Sequence, residues 1–120
     1  MKTLKCHCGA FEAKINFTGK FEKILRCNCS LCKRKGAIMT MVQNSDFEIT
    51  KGKDKIKLYQ FHTKVAKHYF CSICGIYTHH HPRSNPKMTG FNLGCVEDFN
   101  TFELKNILIN DGQNHPLDKK

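Results

Sequence analysis

The chain has 120 residues, with 20 Lys and Arg against 10 Asp and Glu, a formal net charge of +10, eight Cys, seven His and no Trp. That length suits one domain over residues 1–120, because two separate cores would each be too small to fold comfortably, and an apolar content of 40% excludes wholesale disorder. No hydrophobic leader follows Met1 and no run of 18 apolar residues occurs, so the expectation is a cytoplasmic protein without secretory signal or membrane span.

The patterning is mostly period two. Phe11, Ala13, Ile15 and Phe17 alternate with Glu12, Lys14, Asn16 and Thr18, the signature of a half-buried strand. Thr18-Gly19-Lys20 turns the chain, and Phe21 to Cys27 is predicted to return as a second strand. Ala37 to Val42 reads as a short buried strand. Four more are predicted at Ile56 to Phe61, Val65 to Phe70, Tyr77 to His81 and Thr89 to Leu93, a spacing that suits a mainly β domain. Pro82 and Pro86 bracket a loop at Arg83-Ser84-Asn85. No helix of three turns is predicted; Asn100 to Leu104 suits a single turn. The core is expected over about 3–110, with Asp111 to Lys120 a short tail against the surface or frayed.

Cysteine makes up about 7% of the chain, and in a reducing compartment closely spaced thiols favour metal ligation over disulfides. The spacing is Cys6-x-Cys8, then Cys27-x-Cys29-x-x-Cys32, then Cys71-x-x-Cys74, with Cys95 alone. Seven of these divide as four plus three. Cys6, Cys8, Cys71 and Cys74 would make a closed four-thiolate site of the structural type. Gly75 after Cys74 suits a metal knuckle, since it permits the tight turn that aims both thiolates inward. Cys27, Cys29 and Cys32 can hold one face of a second ion. Its fourth ligand is left to water, a substrate, a histidine or Cys95, the last of which would make it a second structural site. Otherwise Cys95 is a buried apolar residue.

Cys6-His7-Cys8-Gly9-Ala10, Cys27-Asn28-Cys29-Ser30-x-Cys32-Lys33-Arg34-x-Gly36-Ala37 and Phe70-Cys71-x-x-Cys74-Gly75 resemble the glutathione-dependent formaldehyde-activating family, which includes the domain of centromere protein V. Asn92-Leu93-Gly94-Cys95-Val96-Glu97-Asp98, Phe102-Glu103-Leu104 and Asp111-Gly112-x-Asn114-His115 resemble its C-terminal stretch. The resemblance implies a β-rich, zinc-stabilised fold of the Mss4-like type with zinc knuckles. It implies two zinc ions, a structural one on Cys6, Cys8, Cys71 and Cys74 and a catalytic one on Cys27, Cys29 and Cys32. The implied reaction joins glutathione to formaldehyde as S-hydroxymethylglutathione.

An ion of charge +2 with three thiolates carries net charge −1, a poor setting for activating water and a good one for a soft incoming thiol. The expectation is therefore a carbon–sulfur lyase-type enzyme acting on a small-thiol adduct. Lys33 and Arg34, directly after Cys32, are candidates to meet the carboxylates of glutathione or are a solvated basic face. His79-His80-His81 can offer a base or a substrate contact, or be exposed or partly packed imidazoles, with His79 and His81 on one strand face and His80 on the other. His7 is expected to face solvent. Seven metal-bound thiolates and two zinc ions would bring the charge from +10 to about +7. The competing expectation is a non-enzymatic basic module for nucleic acid or acidic protein partners. The charge is spread thinly, with Lys33-Arg34-Lys35 the sole run of three, which does not favour duplex binding. A zinc-delivery or metal-sensing protein is the third expectation.

Overall fold

The computed structural model describes residues 1–17, 19–21, 23–61, 64–83 and 85–111. Short strands separated by tight turns form two sheets. β1 (Lys2–Lys5), β2 (Glu12–Ile15) and β5 (Phe47–Lys51) make an antiparallel three-stranded sheet in the order β1-β2-β5. The second sheet has seven strands: β3 (Leu25–Cys27), β4 (Met39–Gln43), β6 (Ile56–Tyr59), β7 (Lys67–Cys71), β8 (Tyr77–His81), β9 (Met88–Asn92) and β10 (Leu108–Asn110), in the order β10-β3-β4-β9-β8-β7-β6. Its pairs are antiparallel except β10 against β3. One helical turn, α1 (Cys32–Lys35), joins β3 to β4 and closes on Gly36 in the left-handed conformation at φ 66°.

The alternation in β2 does what it predicts. Phe11, Ala13 and Ile15 are fully buried, and Phe17 packs against the same core. They meet Leu4 from β1, Phe91 from the larger sheet and Leu93 just after β9, so the core lies between the two sheets. Each such large side chain contributes about 1.5–3 kcal/mol when fully buried. An isolated bridge between Leu4 and Val96 links the layers further.

The segment after β2 departs from expectation. Phe21 to Cys27 does not return along β2, whose neighbours are β1 and β5. Phe21 instead plunges into the core, stacked on Phe17 at 4.5 Å and edge-on to Phe91 and Phe99 at 5.8 and 5.6 Å. Only Leu25–Cys27 is a strand, and it belongs to the other sheet. Aromatic burial outweighs a simple hairpin here. The strands predicted at 37–42, 56–61, 65–70, 77–81 and 89–93 are present as β4 and β6 to β9, shifted or trimmed at their ends. Thr101–Glu103 forms the expected single turn, with the Asn100 side chain accepting the Phe102 N–H at 3.0 Å. Thr18, Ser84 and residues 112–120, to which a turn, a loop and a tail were assigned, lie outside the described residues.

Candidate metal centres and the adjoining cleft

Cys6 and Cys8 follow β1 in the small sheet; Cys71 ends β7 and Cys74 follows it in the large one. Their four Sγ atoms all lie within 4.8 Å of one another. Cys6 to Cys8 and Cys8 to Cys71 measure 3.6 and 3.7 Å, close to the edge of about 3.8 Å that a tetrahedron with 2.3 Å Zn–S bonds would have. The local backbone builds this. Gly9 and Gly75, at φ +80° and +78°, turn the chain sharply after each cysteine pair, and the Gly75 N–H closes on the Cys71 carbonyl at 2.8 Å. The N–H groups of Phe11 and Ile73 donate to Cys6 Sγ and Cys71 Sγ at 3.3 and 3.4 Å. Cys6 and Cys71 are buried.

The second cluster is local. Cys27 ends β3, Cys29 lies in the turn and Cys32 opens α1; their Sγ atoms also lie within 4.8 Å of one another. The Cys32 N–H donates to Cys29 Sγ at 3.2 Å and the Asn110 amide to Cys27 Sγ at 3.4 Å. Cys27 is drawn down to about 5, chiefly because the Cys32 thiol donates to it, while Cys32 is driven up by giving that hydrogen bond and by its own burial. Three thiols packed this tightly cannot all ionise unless a cation compensates them. A thiophilic divalent ion such as zinc fits both clusters.

Beside the second cluster lies a group of side chains from three elements. Lys35, one helical turn past Cys32, places Nζ 3.0 Å from His68 Nδ1 and 3.7 Å from the centre of the Tyr77 ring. His68 stacks on His80 with centroids 5.7 Å apart, and the Tyr77 hydroxyl is hydrogen-bonded to His80 Nδ1. Burial is the main cause that draws His68 down to about 4 and His80 to about 3, helped by the Lys35 charge. Both imidazoles are neutral at pH 7. Since an ammonium only donates, His68 Nδ1 is the acceptor and its proton sits on Nε2. His80 faces Gly90 across the β8–β9 pairing, and a Cβ there would collide with the imidazole ring.

An open cleft of about 450 Å³ adjoins this group, walled by Lys35, Ile38, Ile76, Tyr77 and Phe102 among others. Ala37 and Tyr77 pack with Cys32, and Cys27 and Cys29 lie against that same cluster. Ala37 and Tyr77 of the cleft wall thus separate the cleft from the three thiols, none of which lines it.

Several candidates fall elsewhere than the sequence suggested. Lys33 and Arg34 are exposed on α1, where Arg34 gives one N–H to the Ser30 carbonyl at 2.7 Å. Lys35, which turns inward, drew no separate attention in the sequence. The signal was available: a residue three past Cys32 shares its helix face. Cys95 is buried, with its thiol directed at the Tyr77 carbonyl at 3.7 Å, and belongs to neither thiol cluster. It does not close the second one. His79 and His80 are buried rather than exposed or partly packed. His79 stacks among Phe47, Tyr69 and Phe11, with centroids 4.9, 4.7 and 5.4 Å away, because the alternation of β8 turns it into the core. His81 is half-buried and His7 is exposed, the latter as expected.

This fold and these thiols define a small, mainly β protein with two cysteine clusters that could hold metal. A family model described as glutathione-dependent formaldehyde-activating enzyme matches residues 1–108, and the chain belongs to that family. A crystal structure of a Rhodobacter sphaeroides protein is similar at 42% identity, covering 90% of this chain and 99% of the other, with a TM-score of 0.86. Among the described residues no helix is long and apolar enough to cross a membrane.

Proposed function

We propose that this protein is a carbon–sulfur lyase-type enzyme with two zinc ions, acting on an adduct of glutathione or a related small thiol such as S-hydroxymethylglutathione. The observation that carries this reading is the count of three thiols, rather than four, in the cluster at Cys27, Cys29 and Cys32. A zinc ion held by those three residues would offer an open position to sulfur and would stabilise the thiolate released when the adduct cleaves. In the cleaving direction the C–S bond breaks with its electron pair to sulfur, the hydroxyl proton passes to water, and the carbonyl compound leaves. Cys6, Cys8, Cys71 and Cys74 hold the structural ion. Lys33 and Arg34, exposed on α1 beside the cluster, meet the carboxylates of glutathione. The family's name supports glutathione as the thiol and formaldehyde as the carbonyl partner.

Calorimetry on protein verified to contain two zinc ions tests this, with glutathione as ligand and S-methylglutathione as control. Thiol-dependent binding that disappears in Cys29→Ser is the expected result. Equal binding of both ligands would leave an anion pocket without metal chemistry. Binding of neither, together with steeply salt-dependent DNA binding, would favour a basic binding module instead.

A further inference from the structure

The cleft bounded by Ala37 and Tyr77 has a composition that glutathione itself does not match. Its volume of about 450 Å³ is in the range of sites that enclose whole organic ligands, far larger than a hydroxymethyl group needs. Its walls are apolar on Ile38, Ile76 and Phe102, and Lys35 is the one charged side chain among its described lining residues. Glutathione carries two carboxylates and an ammonium, which call for more than one ionic partner. Phe102 is 96% exposed, although it sits on a capped turn at the mouth of the cleft. A large aromatic held in water at a cleft mouth is matched to an apolar ligand that covers it.

Lys35 is equally well defined. One donor of its ammonium is engaged by His68 Nδ1 and its charge lies over the Tyr77 ring. An ammonium has three donors, so this clamp, on a lysine whose pKa burial lowers, leaves donor capacity to spare on a residue of the cleft wall. Tyr77 is itself tied to His80, and the His80 ring packs closely on Gly90. The result is a preorganised donor rather than a mobile surface lysine.

Resting on the proposed reading of the three thiols, we infer that this cleft receives the carbonyl-derived half of the thiol adduct. The adduct's oxygen lies on the Lys35 ammonium and its carbon substituent against Ile76 and Phe102. The substrates it suits are S-(1-hydroxyalkyl) thiols derived from aldehydes larger than formaldehyde. The peptide half of a glutathione adduct then lies outside the cleft, toward Lys33 and Arg34.

Stable thiols test this by calorimetry on the zinc-loaded protein. The probes are 2-mercaptoethanol, 1-mercapto-2-pentanol and 1-pentanethiol, with glutathione as reference. The pentanol thiol is expected to bind about tenfold tighter than 2-mercaptoethanol. Phe102→Ala, at a solvent-exposed position that does not threaten folding, is expected to lose most of that gain while retaining glutathione binding. Lys35→Met is expected to keep the gain with chain length but lose the preference for 1-mercapto-2-pentanol over 1-pentanethiol. Equal affinity for the two hydroxy thiols, or a gain unchanged in Phe102→Ala, overturns the inference while glutathione binding leaves the parent reading standing. If no thiol binds, both fall.

Discussion

The two thiol clusters are made of the same atoms at similar spacings, yet they stand in opposite relations to the fold. Cys6, Cys8, Cys71 and Cys74 come from two different sheets, with Cys8 and Cys71 63 residues apart. A metal there closes a long loop and staples the layers on either side of the core. Cys27, Cys29 and Cys32 span a single β3–α1 turn, and Cys32 packs on Ala37 and Tyr77 of the cleft wall. A metal there would tie together only the few residues of that turn. On the proposed reading one cluster would carry tertiary structure and the other would add to a site. A shared ligand chemistry says little about role, whereas what each ion connects says much.

The largest expected effect separates the two directly. Zinc in a site that links distant elements contributes on the order of 10 kcal/mol to folding at pH 7. Cys71→Ser should therefore abolish the cooperative melting transition, and an unchanged melting curve would break the comparison. Cys29→Ser should lower the zinc content by one ion and remove thiol binding, while a cooperative transition persists in the same thermal melt.

Acidification probes the structural side. His79, buried among Phe11, Phe47 and Tyr69, is drawn down to about 3, mainly by burial and further by His81. The unfolded chain takes up this proton near pH 6.5 and the folded one only near 3, so the unfolded state binds more protons between those values. Stability must fall as pH is lowered through that window. His79→Phe should flatten the loss between pH 7 and 5 measured by urea denaturation, keeping the aromatic packing without the titration. An unaltered slope would assign the acid sensitivity to His68 and His80, which burial also draws down, and to the thiolates, which lose metal on protonation.

Gly90→Ala sharpens the other side. A Cβ there strikes the His80 ring, which is held by Tyr77 and stacked on His68, so overpacking should cost about 1–3 kcal/mol. Because His80 stands behind Tyr77 and Lys35, thiol binding should weaken while zinc content stays unchanged. Metal analysis alongside calorimetry distinguishes this from general unfolding. The smallest effect is expected from changing Lys33 and Arg34 together to Ser. Both side chains are exposed and worth little individually, so glutathione binding should weaken a few-fold at low salt and converge with the wild type at high salt. Equal affinity at every ionic strength would remove them from the site.

What the sequence determined by itself is local. Period-two alternation located β2, a short apolar run marked β4, and the spacing of further strand-like runs marked β6 to β9. The cysteine spacings, each pair or trio within one turn of chain, marked the clusters, because two thiols one or two residues apart need only a tight turn to converge. β1 and β10 escaped notice, since Leu4 is the one buried residue of β1 and β10 exposes both Leu108 and Ile109. β5 was also missed, although Phe47 and Ile49 alternate with Glu48 and Thr50. Only tertiary structure could decide that Phe21 leaves its hairpin for an aromatic core, that His79 and His80 are buried and neutral, and that Lys35 rather than Lys33 or Arg34 faces the cleft. Each of those outcomes depends on side chains contributed by strands remote in sequence: Phe91 against Phe21, Phe11 and Phe47 against His79, and His68 and Tyr77 around Lys35. No local pattern encodes a neighbour that arrives only when the sheets close.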